Sequence, residues 1–190
     1  LKKYPVVIKS IPSLSDLTEG KLSISDLKEI NIEDLLQRDV RKPIADLIEA
    51  DVNGKTILIT GAGGSIGSEI CRQVTRLEPK KIILFEISEH SLYQIERELL
   101  EKNTSLEIVS IIGNVTNQKR LCKVIGDYEV DTIYHTAAYK HVPMVEKNFM
   151  AGVQCNIYGT LSCIQAALAN DVKSFVFIST DKAVRPTNIM

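Results

Sequence analysis

A chain of 190 residues can form one domain of ordinary size plus an appendage, and with 44% apolar residues it can bury a sizeable core. Charged residues make up 25% and the formal net charge is -1, which gives no general attraction to nucleic acid or to an anionic membrane surface. No apolar run reaches the roughly 18 residues of a bilayer span, and no secretory signal pattern is read at the start. Cys71, Cys122, Cys155 and Cys163 form no C-x-x-C pair and have no His at metal spacing, so four reduced thiols in a cytoplasmic setting are expected, and no metal. The chain starts at Leu1 and stops at Met190 inside what reads as a loop, so it is expected to be a fragment.

In chain order, residues 1–50 hold short apolar stretches, Val6 to Ile8 and Leu35-Leu36, between polar clusters. Ser13 to Asp16 and Ser23 to Asp26 carry helix-start patterns. This segment reads as a connector with short helices, the alternative being a flexible linker. Residues 51–190 then alternate strands and helices. Strands are predicted at Thr56–Thr60, Lys81–Phe85, Leu106–Ile112, Thr132–His135 and Ser174–Ser179. Helices are predicted at Ser65–Arg76, Ser91–Glu101, Asn117–Ile125 and, as one long element, Ala151–Asn170. Strands separated by helices imply an α/β fold, a Rossmann-type doubly wound parallel sheet. Right-handed crossovers give the strand order 3-2-1-4-5.

The strongest local signal is Thr60-Gly61-Ala62-Gly63-Gly64-Ser65-Ile66-Gly67, directly after a strand and opening a helix. Gly61, Gly64 and Gly67 fit G-x-x-G-x-x-G, the dinucleotide pattern when it lies at a first βα turn. Glycine permits the tight turn, and the N–H groups of Ser65, Ile66 and Gly67 at the helix start suit a pyrophosphate. The loop is not G-x-x-x-x-G-K-[ST], so it does not read as a P-loop ATPase. Glu86 ends the second strand, 19 residues after Gly67, where an acid can accept from the ribose hydroxyls of NAD and repel the extra phosphate of NADP. NAD is therefore the expected cofactor, with NADP the alternative. Lys81 and Arg97 are expected to be solvated, and His90 to lie on the surface.

The T-G-x-x-G-x-x-G loop and the segments after it resemble the extended short-chain dehydrogenase family. Tyr139-Lys140-His141-Val142-Pro143 and Ser179-Thr180-Asp181-Lys182-Ala183 are similar to its polysaccharide-biosynthesis branch, the nucleotide-sugar 4,6-dehydratases. Asn156-Ile157-Tyr158-Gly159-Thr160 is similar to the family's helix asparagine motif. Ile11 to Asp16 and Ile32 to Leu36 resemble segments of its long, membrane-anchored members. The resemblance implies cofactor contacts at Asn114, Ala137, Ala138, Lys140 and Asn156. Asn114 stands where the family often has an Asp against adenine. Surface charge is the alternative reading of Lys140 and His141.

By the same resemblance the C4 hydroxyl of the sugar is oxidised, the C5 proton is removed, water leaves from C6, and the hydride returns to C6. Lys182 is implied as the base and Asp181 as the acid. Met190 stands where the usual Tyr of a Tyr-x-x-x-Lys pair would be, eight residues after Lys182, as in the long, C5-retaining members. The paired Lys would lie beyond Met190, so the fragment alone is expected to be inactive. The parent is expected to be a homo-oligomer with a nucleotide-sugar substrate and no nucleic-acid partner, anchored upstream at the inner face of the cell membrane. The leading reading is a UDP-N-acetylglucosamine 4,6-dehydratase. Two alternatives stay open: a nucleotide-sugar epimerase, which usually keeps Tyr where Met190 stands, and an NAD-sensing domain, which needs no acid and base.

Overall fold

The computed structural model describes residues 44–102 and 106–180, together with the backbone of two short strands nearer the start. By internal contacts the chain divides between Pro43 and Ile44. In the first unit, β1 (Lys9–Ser10) and β2 (Lys28–Glu29) form an antiparallel pair. The helix-start patterns at 13–16 and 23–26 lie outside the described residues.

The second unit opens with α1 (Ala45–Val52), followed by β3 (Thr56–Thr60), α2 (Ser65–Thr75), β4 (Lys81–Glu86) and α3 (Glu89–Lys102). Then come β5 (Glu107–Ile112), α4 (Gln118–Asp127), β6 (Thr132–His135) and two short helices, α5 (Val142–Lys147) and α6 (Phe149–Gly152). A π-helical turn over Val153–Gly159 leads into α7 (Thr160–Ala169), and β7 (Ser174–Phe177) follows. The five long strands are all parallel, in the order β5-β4-β3-β6-β7. This is the 3-2-1-4-5 order expected of a doubly wound sheet, and the fold is Rossmann-type.

The central strands β3 and β4 are almost continuously apolar between their ends because both sheet faces are covered there. Every residue of β3 is buried. Ile57 and Ile59 join Ile82, Leu84, Cys71, Ile95 and Leu99 on one face, under α1, α2 and α3. Leu58 points the other way and packs with Ile83, Phe85, Leu121, Ile133 and Ala166, under α4 and α7. The period of two along each strand thus fills two cores at once. Burying each Leu or Ile side chain contributes roughly 1.5–3 kcal/mol. All four cysteines are free, and burial pushes the Cys71 and Cys163 thiols up to about 12, which keeps them protonated.

Two expectations need correction. Lys81 is not solvated: its side chain is only 18% exposed, its ammonium lies 2.9 Å from the Glu107 carboxylate, and it sits 5.3 Å from the Tyr128 ring centre. The stretch 151–170 is not one regular helix. It widens into i→i+5 bonding over Val153–Gly159, which re-aims the side chains of that turn. Arg97 and His90 are exposed, as expected.

Candidate functional site

A cleft of about 310 Å³ opens at the carboxyl ends of the strands, where the chain order reverses between β3 and β6. Open α/β sheets place ligands at this switch point, because the loops on either side diverge there. One wall is the glycine loop, Gly61 to Gly64. The loop after β6, Thr136 to Tyr139, faces it. Glu86 at the end of β4, Ile87 beyond it and Gly113 to Thr116 after β5 close one end, and Gln154 and Cys155 of the π-helical turn complete the lining.

Gly61 has φ +67, and a Cβ there would stand 2.8 Å from the Ala137 Cα. At Gly67 a Cβ would overlap the carbonyl oxygen of Gly61. The turn can therefore close onto the loop after β6 and onto α2 only with glycine at both positions. Gly64 caps α2 without a side-chain bond, so the first N–H groups, those of Ser65, Ile66 and Gly67, have no side-chain cap. Lys140 reaches the same point, its Nζ 3.5 Å from Ser65 Oγ. Unsatisfied N–H groups, the positive end of a helix and an ammonium together make an anion cradle.

Glu86 is buried, and its carboxylate is already engaged. Oε2 accepts from Gly63 N–H at 3.1 Å, and Oε1 accepts from Ile87 N–H at 2.9 Å and Ser88 N–H at 3.0 Å. The residue read as a ribose acceptor thus also ties the glycine loop to the loop after β4. Asn156 acts from behind the wall. Its Oδ1 accepts from Tyr139 N–H at 2.8 Å and its Nδ2 donates to Tyr139 C=O at 3.0 Å. This two-point clamp fixes the loop that carries Ala137, Ala138 and Lys140. Asp181, Lys182 and Met190 lie outside the described residues. The chain approaches them from β7, where Ile178 N–H still donates to His135 C=O at 3.1 Å.

His135, which no local sequence pattern marks as a site residue, is 1% exposed under the cleft. Its Nδ1 lies 2.8 Å from Thr60 Oγ1 and its Nε2 3.1 Å from Thr160 Oγ1. Thr160 Oγ1 donates its proton to Asn156 C=O at 2.8 Å, so it must accept from His135 Nε2–H. Nδ1 is then the acceptor for the Thr60 hydroxyl, which in turn accepts from Thr136 N–H at 3.3 Å. One neutral tautomer satisfies the whole chain of bonds. Burial holds the imidazole down, from 6.5 to about 4. The native state therefore keeps His135 neutral where the unfolded chain protonates. The associated stability is complete above about pH 6.5 and is lost as pH falls towards about 4. Urea unfolding should show this loss, up to about 1.4 kcal/mol per pH unit, in the native sequence, while His135→Asn shows a shallower decline. Equal pH slopes for the two proteins would remove His135 as the cause.

Comparisons with known proteins identify the family. Residues 57–190 match the polysaccharide biosynthesis protein family. The chain is 43% identical over 186 residues to the capsular polysaccharide biosynthesis protein CapD of Staphylococcus aureus, covering 97% of this chain and 31% of that protein. It is 38% identical over 138 residues to a UDP-N-acetylglucosamine 4,6-dehydratase (inverting) of Campylobacter jejuni, covering 72% of this chain and 40% of that one. Among solved structures, Pen from Bacillus thuringiensis superposes with a TM-score of 0.68 at 35% identity, over 73% of this chain and 43% of that one. The chain therefore spans less than half the length of each of these relatives. With its glycine loop, switch-point cleft and parallel sheet, the chain belongs to the polysaccharide biosynthesis protein family, within the extended short-chain dehydrogenases.

Proposed function

We propose that this chain is the dinucleotide-binding part of an NAD-dependent nucleotide-sugar 4,6-dehydratase, a lyase acting on UDP-N-acetylglucosamine. The observation that carries the reading is the cradle beside the switch-point cleft, where the Lys140 ammonium comes to the start of α2, next to the glycine loop that lines the cleft. The similarity to the Campylobacter jejuni dehydratase supports the substrate. The glycine loop and Lys140 would hold the pyrophosphate, and Ala137 and Ala138 leave room beside the sheet. When bound, NAD supplies a hydride acceptor for C4 of the sugar and a hydride donor for C6. Lys182 takes the C5 proton, and Asp181 protonates the C6 hydroxyl as it leaves as water. The connector ends at Pro43 and the cofactor domain starts at Ile44, so that α1 belongs to the domain and the boundary lies earlier than the 50/51 expected from the sequence. The same proposal takes the parent to be a homo-oligomer at the inner face of the cell membrane, and the resemblance of Ile11 to Asp16 and Ile32 to Leu36 to segments of membrane-anchored members supports the anchoring. No helix among the described residues is long and apolar enough to cross a membrane.

Incubating the full-length protein with UDP-N-acetylglucosamine and NAD should yield a 4-keto-6-deoxy sugar, detected by mass loss of water. A product of unchanged mass, inverted at C4, would favour an epimerase. Cofactor choice is tested by titration. NADP should bind about tenfold more weakly than NAD, because the Glu86 carboxylate lies at the ribose end of the cleft. Glu86→Gln should weaken both cofactors, since its amide N–H₂ must face a backbone N–H at one of the two oxygen positions. Tighter binding of NADP by the native protein would remove Glu86 as the selector.

A further inference from the structure

The loop after β6, Thr136 to Tyr139, leads into Lys140, and both of its ends trace back to one buried ring. At the first end, Thr136 N–H donates to Thr60 Oγ1 at 3.3 Å and Thr136 Oγ1–H to Thr60 C=O at 2.7 Å. Thr60 Oγ1 in turn lies 2.8 Å from His135 Nδ1. At the last end, the Asn156 amide holds both backbone groups of Tyr139. The carbonyl of Asn156 accepts from the Thr160 hydroxyl at 2.8 Å, and that hydroxyl lies 3.1 Å from His135 Nε2. In a regular helix the Thr160 N–H would donate to this carbonyl. In the widened turn it donates to Ile157 C=O, and the hydroxyl bonds the Asn156 carbonyl in its stead. Neither His135 nor Thr160 lines the cleft, so any effect of theirs on a ligand must pass through the loop.

We propose that His135 is a positioning residue for Lys140. Through Thr160 it holds the widened turn, the turn presents the Asn156 amide, and the amide fixes the backbone from which Lys140 reaches the cradle. The inference rests on the dinucleotide reading above. Lys140 follows Tyr139 directly, so a Tyr139 backbone released from Asn156 moves the root of that side chain. The Lys140 ammonium stands 3.5 Å from Ser65 Oγ, at the outer limit of a hydrogen bond, so a small displacement breaks the contact. Removing the Thr160 hydroxyl would leave His135 Nε2–H buried without its acceptor and Asn156 C=O without this donor. The turn can relieve that cost only by shifting, and the Asn156 amide shifts with it.

The test is a double-mutant cycle read as NAD affinity, by calorimetric titration of the full-length protein. Thr160→Val keeps the shape of the side chain but removes the hydroxyl, and should weaken NAD about tenfold. Thr160→Ser keeps the hydroxyl and should bind NAD as the native protein does. Lys140→Ala should weaken NAD about tenfold by itself. In the Lys140→Ala background, Thr160→Val should cost less than about twofold more, because the group it displaces is gone. A purely structural role would lower stability in urea without this coupling to Lys140. His135→Asn keeps an acceptor for the Thr60 hydroxyl but does not reach Thr160, and it should repeat the result, so the inference does not hang on the folding of one variant. Native NAD affinity in Thr160→Val and His135→Asn overturns the inference. So does an equal loss with and without Lys140, a Thr160→Ser as weak as Thr160→Val, or a Lys140→Ala of native affinity. In all these cases NAD binds and the dinucleotide reading stands. Failure of the native protein to bind NAD overturns that reading, and this inference with it.

Discussion

Lys182→Ala in the full-length protein is expected to lower dehydratase turnover by about 10²–10⁴-fold, the usual cost of removing one positioned base. The proposed elimination needs the C5 proton to leave, so solvent deuterium should cease to enter C5. Asp181→Asn keeps the shape of the side chain but removes the proton donor, and it should slow loss of water on the same scale. NAD affinity should change little in either variant, because the cradle is built from the glycine loop, the start of α2 and Lys140. A loss of affinity equal to the loss of turnover would make Asp181 and Lys182 structural. Near-native turnover in both variants would require the acid and base to be reassigned.

Gly61→Ala should damage both the fold and the cofactor site, and Gly54→Ala separates the causes. Both glycines have φ +67, which costs an L side chain about 1–2 kcal/mol. At Gly54 a Cβ meets nothing within 4 Å, so that cost should be the whole effect. At Gly61 the Cβ would lie 2.8 Å from the Cα and 2.9 Å from the N of Ala137, backbone atoms that cannot rotate away. Overpacking of this kind adds about 1–3 kcal/mol, so Gly61→Ala should lose roughly 2–5 kcal/mol in all. The displaced backbone is Ala137, in the loop that carries Lys140, so NAD affinity should fall with stability in Gly61→Ala and stay near native in Gly54→Ala. Equal destabilisation in the two variants would mean that the turn yields and that close approach to the loop after β6 is not a constraint.

The sequence by itself determined the sheet. Thr56 to Thr60, Lys81 to Phe85 and Thr132 to His135 are short apolar runs bounded by turn residues, and such patterns are local. Right-handed crossovers then leave little choice of strand order. The glycine loop is legible for the same reason, since Gly61, Gly64 and Gly67 lie within seven residues that run from the end of a strand into the first turn of a helix. What Glu86, Asn156 and His135 do was decided only by tertiary structure. Glu86 meets Gly63 across 23 residues, and His135 meets Thr60 across 75. No local pattern encodes a bond between loops brought together by the winding of the sheet. The widened turn over Val153–Gly159 was hidden likewise, since its residues suit an ordinary helix and what marks it is Asn156 held by the backbone of Tyr139. Asn114 lies between these cases: its turn with Thr116 spans two residues, but only the fold sets it in a cleft wall shared with Glu86 and the glycine loop.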